Sequence, residues 1–298
     1  MSLKKFLVIL AAGTILLVVL VAWFLPLDED FRVENPFWNG FKNLSTSYPV
    51  QSLESFADLP VSPRGTTLIL VPYLNLTSVE LEQLNSYVSE GGRCILADDY
   101  GHGNQILEYL GLEVRFSGEV LVDPLLNYKT GDFPKIIHFE SDPLTINTES
   151  LVLNHATCLV NTEDDSAIAL SSSFSFLDRN ENGTYEDDEL SGPLPVICRE
   201  MFGDGQVVLV ADPSLFINSM NAIDENEGFI QNIADTTTSL YIDQSHLPPS
   251  DLHRTKILLA RGREYLASPL MTTGLVALVV VIALKPVWYK RKERQNDA

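Results

Sequence analysis

Hydrophobic positions along this chain fall into runs of two lengths, and each length predicts a different element. Two runs are long and free of charge, Phe6 to Leu27 and Tyr265 to Leu284. As helices, both are long enough to cross a hydrocarbon layer of about 30 Å. Shorter continuous runs occur at 66–71 (TTLILV), 93–97 (RCILA) and 206–211 (QVVLVA), the pattern of strands buried on both faces of a sheet. Between the first two, Thr77 and Glu80 have capping-box spacing, Leu81, Leu84 and Val88 share a helical face, and Gly91-Gly92 end the pattern. The resulting β-α-β unit predicts parallel strands and a right-handed crossover. Further helices are expected at 104–110 and 224–235. Residues 114–175 alternate like strands between turns and read as an insertion or sheet extension, while 243–256 (DQSHLPPSDLHRTK) reads as a linker.

The charges flanking the long runs set an orientation. Lys4 and Lys5 precede the first run and Asp28, Glu29 and Asp30 follow it, while Lys285, Lys290, Arg291, Lys292 and Arg294 follow the second. Positive charge stays on the cytoplasmic side, so both termini are expected in the cytoplasm and the central domain outside, at the cell membrane. A cleaved signal peptide is the alternative for the first run, which exceeds the usual apolar length and lacks a clear small-x-small cleavage site. The expected organisation is an anchor at 1–27, an exterior α/β domain at 28–242, a linker at 243–264, a second transmembrane helix at 265–284 and a basic tail at 285–298.

Composition sharpens this picture. Of 20 basic and 40 acidic residues, 13 and 38 lie between the two runs, leaving that segment at −25 against −20 for the whole chain. Such a field disfavours nucleic acid and anionic lipid as partners of the domain. Cys94, Cys158 and Cys198 are odd in number, have no CxxC spacing and lie in apolar stretches, which points to buried packing residues.

Two segments carry candidate chemistry. The stretch Asp178 to Glu189 (DRNENGTYEDDE) has the spacing of a calcium loop. Calcium takes six to eight oxygens, here expected from the side chains of Asp178, Asn180 and Asn182, the Thr184 carbonyl, Glu186 through water, and both oxygens of Glu189. Strand-like sequence before it and Ser191-Gly192-Pro193 after it predict a structural loop between strands rather than a helix–loop–helix sensor. A solvated acidic turn is the alternative. The second segment is the turn from Asp98 to Asn104 (DDYGHGN), placed beyond the C-terminal end of a strand where open α/β sheets bind ligands. Asp98, Asp99 and His102 are candidates there for acid–base or metal chemistry, with Asp212 and Ser214 expected on the same edge. Ser214 lies in no G-x-S-x-G elbow. The alternative is a turn whose carboxylates only cap a helix. His138, His155, His246 and His253 show no ligand spacing.

Asn39-Gly40, YVSEGGRCILADDYGHGN, SFLDRNENG followed by GPLPV, and GDGQVVLVADPSLFIN occur in this order over most of residues 35–235. In them the chain resembles the membrane-anchored DUF4350 family. The resemblance implies a class I glutamine amidotransferase-like fold, a flavodoxin-like parallel sheet also seen in auxiliary subunits of gliding-type ABC transporters, here with a β-rich extension. It implies no activity. Amidotransferases place a nucleophilic cysteine on a Gly-x-Cys-x-Gly elbow, whereas the comparable turn here holds Asp98, Asp99, Tyr100 and Gly101, with Cys94 inside the strand. The expectation is a non-catalytic ectodomain binding a partner or ligand in an envelope-associated complex. The alternatives are a hydrolase using the Asp98–His102 turn and an accessory subunit of an ABC-type transporter.

Overall fold

The computed structural model describes residues 2–163, 165–274, 276, 277 and 280. The chain divides into two units, Pro26–Pro248 and Met1–Leu25 with Pro249–Ala298. In the latter, helix α1 (Leu3–Phe24) realises the first apolar run. Among the described residues it is the one helix long and apolar enough to cross a membrane, a property that anchors and signal sequences share. The expected second span lies in part outside the described residues, and the basic tail lies wholly outside them.

In the unit Pro26–Pro248, helices α2 (Lys42–Ser47), α3 (Ser78–Ser89), α4 (Asn104–Leu110) and α5 (Asn226–Asp235) accompany one eight-stranded sheet. Its strands are β1 (Val50–Leu53), β2 (Thr66–Leu70), β3 (Arg93–Ala97), β4 (His138–Phe139), β5 (Ala167–Leu170), β6 (Pro195–Phe202), β7 (Gly205–Val210) and β8 (Ser239–Asp243). They lie in the order β1-β8-β2-β3-β7-β6-β5-β4. The first five pair in parallel and the last three are antiparallel. The three apolar runs are its centre: Leu68, Leu70, Ile95, Leu96, Val208 and Leu209 are all fully buried. The α3 capping box forms as its sequence predicts, with the Thr77 N–H donating to Oε2 of Glu80 at 2.8 Å and the Glu80 N–H to Oγ1 of Thr77 at 3.4 Å.

Two features correct the expected parallel, flavodoxin-like sheet. Strands β6 and β7 form a hairpin closing at Phe202 and Gly205, so the sheet grows beyond β7 by antiparallel pairing instead of a helical crossover. Strand β8, which sequence patterning did not reveal, inserts between β1 and β2. Numbered among themselves, the parallel strands therefore run 1-5-2-3-4 across the sheet, against 2-1-3-4-5 in flavodoxin. The expected β-rich extension contains three two-stranded ribbons, Val120–Val122 with Phe176–Asp178, Arg115–Phe116 with Leu159–Val160, and Lys135–Ile136 with Leu151–Val152.

Both ends of this unit meet at the C-terminal edge of the parallel strands. Buried Arg32 donates to the carbonyls of Gln244 at 2.6 Å and Leu247 at 2.9 Å, and the Val33 N–H donates to Oε1 of Gln244 at 3.1 Å. The entering segment is also tied to the loop after β7. Asn218 Nδ2 donates to the carbonyls of Asn35 at 3.0 Å and Phe37 at 2.5 Å. Gly40 is required here, because a Cβ at that position would stand 2.1 Å from the Asn35 carbonyl oxygen.

The expected linker at 243–264 is corrected. Asp243 ends β8, Gln244, His246 and Leu247 are buried, and helix α6 (Asp251–Ala267) occupies most of the remainder. Pro248-Pro249 looks like a linker in sequence, but Ser250 is an N-cap whose Oγ accepts from the His253 N–H at 3.1 Å.

Candidate functional site

The carboxyl edge of the sheet gathers acidic and aromatic side chains from loops that follow different strands. After β3, Asp98 is buried and organises its own turn: the Tyr100 N–H donates to Oδ1 at 3.0 Å and the Gly103 N–H to Oδ2 at 2.7 Å. Burial still raises its pKa above the usual carboxylate value. Asp99 is half-buried and pushed up to about 7, first by burial and then by the charges of Asp212 and Asp98. Asp212, after β7, is fully buried. It caps the helical turn Pro213–Phe216 by accepting from the Ser214 N–H at 2.7 Å, and also accepts from the Asn154 N–H at 2.7 Å. Burial outweighs those hydrogen bonds and pushes Asp212 up to about 7 as well.

Aromatic rings stand beside these carboxylates. Tyr73, which follows β2, has its ring centroid 6.4 Å from Tyr100 and 5.9 Å from His102, and Tyr100 and His102 are 6.0 Å apart. Phe31, from the entering segment, backs Tyr73 at 5.6 Å. Burial, followed by the charges of Asp99, Tyr100, Asp30 and Asp98, raises the Tyr73 phenol. It therefore stays protonated as a hydrogen-bond donor. The expected residues Asp98, Asp99, His102, Asp212 and Ser214 thus come to one edge, but with unequal roles. Asp98 and Asp212 hold loops, Ser214 is buried beneath the Asp212 cap, Tyr100 and His102 are exposed, and Asp99 and Tyr73 are half-buried.

Sequence reading missed the aromatic partners. Tyr73 lies three residues past β2, on the edge where such sheets place ligand contacts, and that position was the available signal. It also missed a buried cluster at the next strand end. His246 Nδ1 stands 2.9 Å from Oδ2 of Asp243, its Nε2 stands 3.6 Å from Oε2 of Glu80, and Phe56 packs edge-on at 4.9 Å. The signal was Asp-x-x-His at a strand terminus, masked by reading 243–256 as a linker.

The segment 178–189 forms a loop closed by its own hydrogen bonds. Asp178 accepts from the N–H groups of Asn182 at 3.0 Å and Gly183 at 2.6 Å, and Glu189 from those of Arg179 and Glu186, both at 3.0 Å. The side-chain amides of Asn180 and Asn182 donate to Glu186 at 3.2 and 3.0 Å. The oxygen-rich donor set suits a hard cation. The arrangement is less favourable: among the described residues no group of three or more His, Cys, Asp or Glu side chains is placed to hold a metal ion.

Residues 39–234 match the family described as Domain of unknown function (DUF4350), and the chain belongs to that family. No curated protein matches the sequence. Similar solved structures include the mmIFT52 N-terminal domain, at 16% identity over 65% of this chain and 89% of that one, with a TM-score of 0.49. A ThuA-like protein from Bacteroides uniformis has 13% identity over 65% of this chain and 82% of that one, with a TM-score of 0.37. A β-galactosidase from Bacillus circulans sp. alkalophilus has 14% identity, covering 57% of this chain and 22% of the enzyme, with a TM-score of 0.37.

Proposed function

We propose that this DUF4350 member is a membrane-anchored, extracytoplasmic domain that binds a ligand or partner at the carboxyl edge of its sheet, within an envelope-associated complex, without turning it over. The convergence of Tyr73, Tyr100 and His102 beside Asp99 carries the reading. Aromatic faces, a phenol donor and a carboxylate suit a cationic or hydroxyl-rich surface. Nucleophiles are poorly placed for chemistry there. Cys94, Cys158 and Cys198 are buried and each pushed up to about 12 by burial, and Ser214 is buried under its cap. A photo-reactive amino acid replacing the exposed Tyr100 in native membranes tests the proposal. One discrete cross-linked partner, lost in an Asp99→Asn background, is the expected result; no specific adduct would sink it. Co-capture of a transport ATPase and permease would make the domain a transporter subunit.

A second reading rests on Asp99 and Asp212, two carboxylates held at about 7, where general acid–base catalysis works well. It makes the edge a carboxylate-dependent hydrolase. Unchanged cellular function in Asp99→Asn and His102→Ala would dispose of it.

Calcium is assigned a structural role in the loop Asp178–Glu189. Asp178, Asn180, Asn182, the Thr184 carbonyl, Glu186 through water and Glu189 would hold it. Glu186 must give up the two asparagine amides for this, which favours weak binding in the range of about 10⁻⁴–10⁻³ M.

A further inference from the structure

Helix α6 reverses the charge of the domain that precedes it. Of the 13 basic residues between the two apolar runs, Arg254, Lys256, Arg261 and Arg263 fall within ten positions that hold no acid. Helical spacing places 254, 258, 261 and 265 along one stripe. That stripe reads Arg-Leu-Arg-Tyr, with Ile257 alongside. Leu258 and Tyr265 are 67% and 63% exposed, and Ile257 and both arginines are also exposed. Arg254 stands 3.8 Å from Asp251 in a solvent-exposed pair, an interaction of little worth that leaves the guanidinium available. Arg263 lies outside this stripe, 6.0 Å over the Trp23 ring.

An exposed stripe alternating long cations with leucine and tyrosine has no advantage in bulk water. At a lipid headgroup layer it does: the apolar side chains and the tyrosine ring sink toward the acyl boundary while the arginines reach the phosphates. The position in the chain agrees. Tyr265 opens the second apolar run. α6 ends at Ser268 in an extended conformation (φ −60°, ψ 142°) followed by Pro269, so α6 need not continue the axis of the helical residues beyond.

We propose that α6 is an interfacial helix that binds anionic phospholipid headgroups through Arg254 and Arg261, seating Ile257, Leu258 and Tyr265 in the membrane surface. This rests on the anchored reading above. It also qualifies the exclusion drawn from net charge: the acidic domain repels an anionic surface, and α6 is the segment that accepts one.

The test uses the full chain, labelled with an environment-sensitive fluorophore at Leu258→Cys, in nanodiscs of phosphatidylcholine with or without phosphatidylglycerol. The three native thiols are buried, which directs labelling to the new one. The expected result is blue-shifted emission in the anionic discs only, lost in Arg254→Glu/Arg261→Glu, retained in Arg254→Lys/Arg261→Lys, and lost in about 1 M salt. Identical emission in both lipid mixtures would overturn the proposal. Alkaline carbonate extraction of the same labelled chain separates the two failures. Retention in the pellet without headgroup dependence sinks the α6 assignment alone, whereas release sinks the anchored reading with it.

Discussion

Nδ1 of His246 stands 2.9 Å from Oδ2 of Asp243, three residues earlier in the chain, inside the protein. Burial by itself favours the neutral ring. The hydrogen bond and charge of Asp243, joined by Glu80, outweigh that and raise the His246 pKa above its ordinary 6.5. The His246 ring links the end of β8 to the capping box of α3, because Glu80 also holds Thr77. A raised pKa means that the fold binds this proton more tightly than the unfolded chain does. Its stability contribution is complete below 6.5 and is lost as pH rises through the folded value. His246→Gln should therefore destabilise the protein near pH 6 and matter progressively less toward pH 9. Urea unfolding at several pH values measures this, and an equal loss at all of them would contradict it.

Asp99 has the same sign for a different reason. Its pKa rises from 3.8 to about 7 through burial and the neighbouring carboxylates, so its contribution is present below 3.8 and is lost as pH rises through about 7. Asp99→Asn should raise stability at pH 8 by about 1 kcal/mol and make the decline between pH 4 and 7 shallower. A thermal melt series across that range is the measurement.

Calcium at ten times its dissociation constant should stabilise the fold by about 1.4 kcal/mol. Scanning calorimetry with millimolar calcium and with chelator reads this directly, and Asp178→Ala should remove the difference. The same substitution should lower stability even with chelator present, because Asp178 accepts from two backbone N–H groups.

Gly205→Ala should be among the most damaging single changes. A Cβ there would stand 2.2 Å from the carbonyl oxygens of Gly92 and Val88. Backbone must move, breaking the join of β7 to the end of α3, at a cost of about 3 kcal/mol or more. The unfolding midpoint in denaturant checks it.

The centre of this fold is legible in sequence because strands buried on both faces leave an unmistakable mark. TTLILV, RCILA and QVVLVA name β2, β3 and β7, and Thr77 with Glu80 names the start of α3. The margins are less legible. β1 and β8 are four and five residues long with mixed burial, so neither alternation nor a continuous run stands out. The candidate site was half visible. Asp98, Asp99, His102, Asp212 and Ser214 announce themselves as polar residues directly after strongly apolar strands. Tyr73 and His246 become neighbours of that edge only through strand order, which no single stretch of sequence encodes. The calcium motif is clear as a pattern, yet spacing alone does not say whether Glu186 faces an ion or the two asparagine amides that it meets here.

The clasp made by Arg32 has a mechanical consequence. By joining residue 32 to the carbonyls of Gln244 and Leu247, it closes the domain into a ring near the two points where its chain enters and leaves. Tension drawn along the chain from either side would pass across that guanidinium and the neighbouring Val33–Gln244 hydrogen bond, and the sheet would hang beside the line of force. The domain should thus tolerate pulling at its ends until the clasp parts, and Arg32→Met should make it yield at lower load.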